Sequence, residues 1–546
     1  MWSYKRKYKK RCLAVLIMFI LIFGGLLLWR IYTYQYIESN KLSAMAEEQY
    51  NYEEKVSSMN YLIFDSKGKQ LIDYTIKYYA VIDPFIFIRY NTFTDNEELM
   101  TLTYILRNYN NTYDISNIAS SSVSLKKYYL IDEETYDKLK NIKNVKGFYI
   151  YSYYDMDRSE AWNINNLITN VNKTGNNTQK NANSLEGQIY AMTKNNQYPG
   201  IVFNRDSNEN TEEGQYTNGK NNINIRLTLD KEIQAKVKNV INDDKYSNYN
   251  EIGVLISECS TGKILGMIQK KDTVPNLLLG STTENGFQPG SIFKIIVEET
   301  ALEENKLSLS EKFTCVTGKD SLCKEPGHGT VDAEEALTES CNNTFAAIGS
   351  RLDYKDIIQN AKSQGLFNKV LNFDSEVAGD FVEPDKSAGG NRLISIGQNM
   401  RITPVQALGI VNTVANGGVY VKPSILDAYV DDNNEIIKQL TYEKNTTIKK
   451  STADILKNQM QKVIKEGTGS AALIEGIEMG GKTGSTERND GGKKCSDGWF
   501  IGYFKVKNKY YSMVVFVKDI DPKKDFGGTT AAPIFKDTIM TIKDNL

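Results

Sequence analysis

Gln288-Pro-Gly-Ser-Ile-Phe-Lys-Ile-Ile296 sets a serine just past a Pro-Gly turn, at the head of an apolar run, with a lysine three residues on. If Ser291 opens a helix after Pro289-Gly290, Lys294 lies one turn along on the same face. A serine so placed reads as a nucleophile in need of a base, yet the chain has one histidine, His328. A lysine ammonium titrates near about 10.4 in water, and burial lowers that value by several units. A buried, neutral Lys294 can therefore take the Ser291 proton directly. Backbone N–H groups at the helix start favour negative charge developing there. Taken alone, Ser-x-x-Lys recurs by chance in a chain of 546 residues and fits an ordinary surface helix equally well.

Two further elements lie downstream. Ser340-Cys341-Asn342 follows a helical stretch, Asp332 to Glu339, and Gly480-Gly-Lys-Thr-Gly-Ser-Thr486 precedes two strand patterns. Each alone reads as a cap or a turn. The strand patterns are 498–504 and 510–517, and a terminal helix runs from Ala531 to Lys543. Upstream, 223–230 alternates as a strand, Asp230 is placed to cap the next helix, and 252–257 with 264–268 reads as a hairpin. A helix is expected over Thr403 to Asn416. Strands at both ends with helices between predict an α/β domain whose sheet is completed by distant segments.

Ser291-x-x-Lys294, Ser340-x-Asn342 and Lys482-Thr483-Gly484, in this order, resemble the penicilloyl serine transferase superfamily. Leu227 to Gln234, Thr261 to Met267, Ser395-Ile-Gly-Gln398, Thr403-Pro-Val-Gln406 and Ala415-Asn-Gly-Gly418 resemble the class B penicillin-binding proteins in particular. The likeness covers about residues 223–546. It implies an α/β (α+β) fold: a β-lactamase/transpeptidase-like domain with a central antiparallel sheet flanked by helices. It also implies an elongated, mixed N-terminal pedestal domain. By position, Ser291 would attack the penultimate D-Ala carbonyl of a peptidoglycan stem peptide, with Lys294 as base. Ser340 would relay a proton to the leaving amine and Lys482 would polarise that network. Asn342 would bind the substrate backbone, and Thr483, Gly484 and Ser485 would line the carboxylate site. The N–H groups of Ser291 and Ser485 would form the oxyanion hole. β-Lactams would acylate the same serine. Glu487 departs from the family pattern, and its charge is expected to slow acylation by anionic β-lactams.

The N-terminus carries Lys5, Arg6, Lys7, Lys9, Lys10 and Arg11 ahead of an apolar run from Leu13 to Trp29. That length spans a bilayer, and the basic flank is expected to stay in the cytoplasm. A cleaved signal peptide is the competing reading, with Ala44-Met45-Ala46 as its site, but that lies far beyond the apolar segment. The expected order is a basic tail (1–12), a transmembrane anchor (13–30), a stalk (31–58), the pedestal (59–222) and the penicillin-binding domain (223–546). Asn165 to Ser184 reads as a long surface loop.

Formal net charge is −1, with no basic stripe, which argues against nucleic acid as a partner. Cys315 and Cys323 bracket a short loop and read as free thiols or a pair. One histidine and scattered cysteines offer no ligand-spaced cluster, so neither a metal nor any other cofactor is expected. His328 is expected to be structural. A β-lactamase or β-lactam sensor shares the three motifs. However, Phe367 to Asn372 lacks the glutamate a class A β-lactamase places there, and neither the several membrane spans nor the cytoplasmic protease of a sensor is read in the chain. A D,D-carboxypeptidase shares them too, since acceptor choice is not written in the motifs. A catalytically idle scaffold is a further alternative, against which the intact triplet argues. No glycosyltransferase module is read, so a polytopic glycan polymerase is the expected membrane partner.

Overall fold

The computed structural model describes residues 2–546 apart from 40–50, 57–58, 92–93, 95, 116–117, 119–124, 158–178, 205–213, 218, 220, 385–389 and 491–492. Much of the expected stalk, most of the Asn165–Ser184 loop and Ala44 to Ala46 lie outside the described residues. Trp2–Tyr32 is helical, and the segment Tyr8–Ile37 is long and apolar enough to cross a membrane.

The chain divides into two compact units, neither continuous in sequence. The first comprises residues 1–58, 74–156 and 197–219, the second 59–73, 157–196 and 220–546. The strand–turn–strand at 61–73 and the helix Leu185–Thr193, grouped on sequence with the pedestal at 59–222, thus fall in the second unit. For the strand the reason is pairing, since Ile63–Phe64 runs parallel to Asn224–Leu227 in a four-stranded sheet, and the helix start is tied by the Leu185 N–H to the Asn372 carbonyl. In the first unit, which takes in all but the end residues Asp73 and Asp157 of these strands, Asp73–Ile82 is the middle strand between Lys127–Ile131 and Phe148–Asp157. Ala80, Ile82, Leu102, Leu106 and Tyr129 form its core.

The second unit is built on five antiparallel strands. These are β1 (Glu251–Glu258), β2 (Ile264–Gln269), β3 (Met479–Asp490), β4 (Lys493–Val506) and β5 (Lys509–Ile520), in spatial order β2-β1-β5-β4-β3. The C-terminal hairpin inserts beside the N-terminal one, so distant segments complete the sheet as the pattern predicts. Alternation along β5 assigns its two faces. Tyr511, Met513, Val515 and Val517 pack with the helices Lys231–Ile241 and Ala531–Ile542. On the other face, Phe516 packs at a tilt against the rings of Trp499 and Phe287, and Ser512 donates to Asn412 Oδ1 of the helix Pro404–Ala415. Caps fall where the composition puts them. Asp230 accepts from the N–H groups of Glu232 and Ile233, and Thr403 with Gln406 closes a capping box.

The serine stretch forms a short 3₁₀ turn, Gly290–Phe293, and the α-helix proper (α1, Lys294–Glu303) begins only at the lysine. This helix is buried on nearly every side and carries two acids inside. Glu298 accepts from Gln459 at 2.7 Å, and Glu299 accepts from Gln364 at 2.5 Å and Asn360 at 3.2 Å. These bonds fix α1 against two neighbouring helices, Lys450–Lys465 and Tyr354–Ser363. Burial pushes both carboxyls up to about 8. The folded state therefore holds a proton on Glu298 that the unfolded chain releases near about 4.5. Stability present below that pH is lost as pH rises towards 8, at up to about 1.4 kcal/mol per pH unit per group. Glu298→Gln is expected to flatten this decline over pH 5–8 in thermal or denaturant unfolding. An unchanged slope would remove Glu298 from the account.

Candidate active site

Three segments converge beside the edge strand β3. The turn that carries Ser291 enters through Gly290, whose φ of +56° lies in the left-handed region. Its N–H donates to the Gly397 carbonyl at 3.2 Å, and the Trp499 indole N–H holds the Gln288 carbonyl at 3.0 Å. Gly397 belongs to the Ser395–Gln398 stretch, which is how that stretch reaches the site. On the strand side, a Cβ at Gly484 would stand 2.9 Å from the Pro289 carbonyl oxygen and 3.0 Å from Ile292. A residue without a side chain is what lets β3 lie against the turn.

Lys294 is fully buried, and its Nζ donates to the Ser340 carbonyl at 2.7 Å and to Asn342 Oδ1 at 2.7 Å, with Ser340 Oγ at 3.2 Å. The Phe345 ring lies 5.4 Å beneath it. Burial pushes its ammonium down to about 7. Lys482, equally buried, reaches the same Ser340 Oγ at 3.0 Å and the Thr483 carbonyl at 3.2 Å. Burial, then the neighbouring charge of Lys294, holds it well below the usual lysine range. One hydroxyl thus bridges two lysines that cannot easily both be charged. Ser340 itself sits at φ +57°, uncommon for a residue with a Cβ, at the corner before the helix α2 (Asn342–Gly349).

The structure brings Lys294, Ser340, Asn342, Lys482 and Thr483 into one hydrogen-bonded cluster and sets Gly484 against the turn that carries Ser291. Ser485 is exposed, and its Oγ accepts from the Gly527 N–H at 3.0 Å. Thr468, not singled out on sequence, shares a 2.8 Å hydroxyl contact with Thr483. It is separated from the motif by a turn with no distinguishing spacing. Glu487 is exposed on the side of β3 shared by Thr483 and Ser485, while Arg488 pairs with Asp497 and Asp519. At about 6–8 Å a like charge costs an anionic ligand something, less where water screens it. Glu487→Gln is expected to raise the acylation rate by an anionic β-lactam a few-fold and to lower its salt dependence. Identical rates at both ionic strengths would dismiss the effect.

The expectation that the cysteines are scattered is corrected. Cys315, Cys323, His328 and Cys341 gather behind the Ser340–Asn342 corner, their ligand atoms all within 4.8 Å of one another. The folding of the intervening hairpin does this, and nothing in the sequence spacing announces it. None of the three thiols is paired in a disulfide.

Residues 252–540 match the family described as the penicillin binding protein transpeptidase domain. Over 358 residues the chain is 30% identical to stage V sporulation protein D of Bacillus subtilis (strain 168), covering 59% of this chain and 54% of that protein. The peptidoglycan D,D-transpeptidase PbpA of Mycolicibacterium smegmatis is 24% identical over 323 residues, 52% of this chain and 66% of the relative. The chain thus spans a little over half to two thirds of the length of these relatives. Among solved structures, penicillin-binding protein 2B from Streptococcus pneumoniae (strain R6) superposes with a TM-score of 0.59 at 18% identity, covering 90% of this chain and 99% of that one. A peptidoglycan synthetase from Bifidobacterium adolescentis gives 0.63 at 17%, covering 91% and 96%. At those identities the likeness concerns the fold alone. The match at 252–540 takes in more than half of the chain and all three motifs, and on that ground the chain belongs to the penicillin-binding protein transpeptidase family.

Proposed function

We propose that this chain is a membrane-anchored peptidoglycan D,D-transpeptidase that works through a Ser291 acyl-enzyme and is inhibited by β-lactams. The observation that carries the reading is the pair of fully buried lysines sharing the Ser340 hydroxyl beside the serine turn. In water neither lysine could lose its proton near neutrality, whereas in this setting one of them can.

Neutral Lys294 takes the proton of Ser291 Oγ as the oxygen bonds to the penultimate D-Ala carbonyl carbon. The Ser291 and Ser485 N–H groups receive the oxyanion, each donor worth about 10²–10³ in rate. The carbon–nitrogen bond to the terminal D-Ala then breaks, and the proton passes through Ser340 to the leaving amine. An amine from a second stem attacks the ester, its proton returns by the same route, and Ser291 is regenerated. Asn342 holds the donor peptide backbone, while Thr483, Gly484 and Ser485 receive its terminal carboxylate. The helix within Tyr8–Ile37 serves as the anchor, with the basic tail in the cytoplasm and the catalytic unit outside. The first unit acts as the pedestal, and a polytopic glycan polymerase supplies the strands.

The experiment is incubation of the full-length protein in detergent with a stem pentapeptide and an acceptor amine. Release of D-Ala with a cross-linked product supports the proposal. Release with only the shortened tetrapeptide would make it a carboxypeptidase, and no release would refute both.

A further inference from the structure

The four residues behind the Ser340–Asn342 corner have a geometry of their own. Cys315 ends the strand Phe313–Cys315, and His328 stands beside the partner strand Gly329–Val331. Cys323 lies on the loop between them, and Cys341 caps α2. Cys315 Sγ is 3.4 Å from His328 Nδ1, and Cys323 Sγ is 3.9 Å from Cys341 Sγ. A tetrahedral zinc ion with bonds of about 2.3 Å to sulfur and about 2.0 Å to nitrogen separates its ligands by roughly 3.5–3.8 Å. The two distances fall just below and just above that range, each by about 0.1 Å.

The surroundings supply a second, independent observation. Hydrogen-bond donors converge on all three sulfurs. The Asn343 N–H points at Cys323 Sγ, and its side-chain amide at Cys315 Sγ. The Thr344 N–H and hydroxyl both point at Cys341 Sγ. A thiol is a weak acceptor, so four donors on three sulfurs fit metal-bound thiolates, whose outer partners orient and stabilise them. The loop from 316 to 328 is tied mainly through its polar groups: the Asn343 amide donates to the Val316 carbonyl and Ser321 Oγ, and Arg392 to the Asp320 carbonyl. Val316 is exposed, and Leu322 is clasped through its backbone, its carbonyl by Asn342 and its N–H by Asn343.

We propose that Cys315, Cys323, His328 and Cys341 bind one zinc ion in a closed Cys₃His site. The ion bonds to four protein groups and leaves no open position, so its work is structural. It cross-links the 316–328 loop to the residue between Ser340 and Asn342, and so holds the two side chains that bond Lys294. This last consequence rests on the proposed function, whereas the site itself does not. It also assigns the buried thiol of Cys341, which the chemistry of its neighbours leaves without a task.

The test uses the full-length protein purified without chelator under reducing conditions. Metal analysis is expected to return about one zinc per chain, as a closed four-ligand site requires. Substitution of Co²⁺ is expected to bring thiolate-to-metal charge-transfer absorption and the visible bands of tetrahedral cobalt. Cys315→Ser and Cys341→Ser should lose the metal, and Cys259→Ser, at a buried cysteine in the turn after β1, should keep it. His328→Ala should weaken retention, and His328→Cys should restore it, which separates ligation from misfolding. Chelation should slow penicillin acylation of the wild type at least tenfold, with recovery on adding zinc. A metal-free protein overturns the proposal, as does metal retained by Cys315→Ser together with Cys341→Ser. So does a disulfide among these cysteines in protein alkylated at the moment of lysis. Metal bound with acylation unaffected by its removal would overturn the positioning role alone.

Discussion

Ser291→Ala is expected to abolish covalent labelling by a fluorescent penicillin while leaving the fold intact, since a single oxygen is lost from a turn held by its backbone. Gly290 N–H on Gly397 and the Trp499 indole on Gln288 keep that turn in place without the hydroxyl. Lys294→Ala should slow acylation by about 10²–10⁴-fold, the range for loss of a positioned base. It also strips donors from the Ser340 carbonyl and Asn342 Oδ1, at a stability cost of about 1–3 kcal/mol. Circular dichroism of the variant therefore belongs beside the kinetics. An adduct mapped to another residue would refute the serine, and normal labelling of folded Lys294→Ala would refute the base.

Gly484→Ala is expected to damage acylation out of proportion to its size, a single methyl. Its Cβ would meet the Pro289 carbonyl and Ile292 on one side and Trp499 at 3.1 Å on the other, so either strand or turn must move. Displacing a nucleophile by about 1 Å costs of the order of 10²-fold in rate, and overpacking adds about 1–3 kcal/mol of destabilisation. The acylation rate should thus fall far more than the melting temperature. Wild-type acylation by this variant would show that the close approach is dispensable.

Much of this was legible in the residues, for identifiable reasons. The sheet could be read because β1, β2, β4 and β5 alternate or run apolar between turn residues, and the caps because Asp230 and Thr403 sit where orphan N–H groups need them. The eight candidate site residues come from short polar motifs in a fixed order, and Lys294, Ser340, Asn342, Lys482 and Thr483 among them meet in one hydrogen-bonded cluster. What escaped is what depends on closure in three dimensions. Ile63–Phe64 joins a sheet of the second unit through a parallel pairing that no local pattern encodes. Thr468 reaches Thr483 across a turn. The 3₁₀ start of α1 follows from the left-handed Gly290, which the sequence only hints at through Pro-Gly. Cys315, Cys323, His328 and Cys341 are separated by unequal intervals, and their meeting depends on a hairpin that brings Gly329 opposite Cys315.

The position of β3 at the end of the sheet has a consequence for selectivity. Among the described residues it pairs with β4 alone, so its other side offers main-chain donors and acceptors to whatever lies along the serine turn. A ligand recognised this way is read by its own amide rhythm, as an added strand would be, while its side chains project away from the contact. Such a cleft tolerates a changing sequence of substituents but not a break in the extended backbone. Inhibitors that keep one well-placed amide beside a reactive carbonyl should therefore outperform bulkier analogues that lack it.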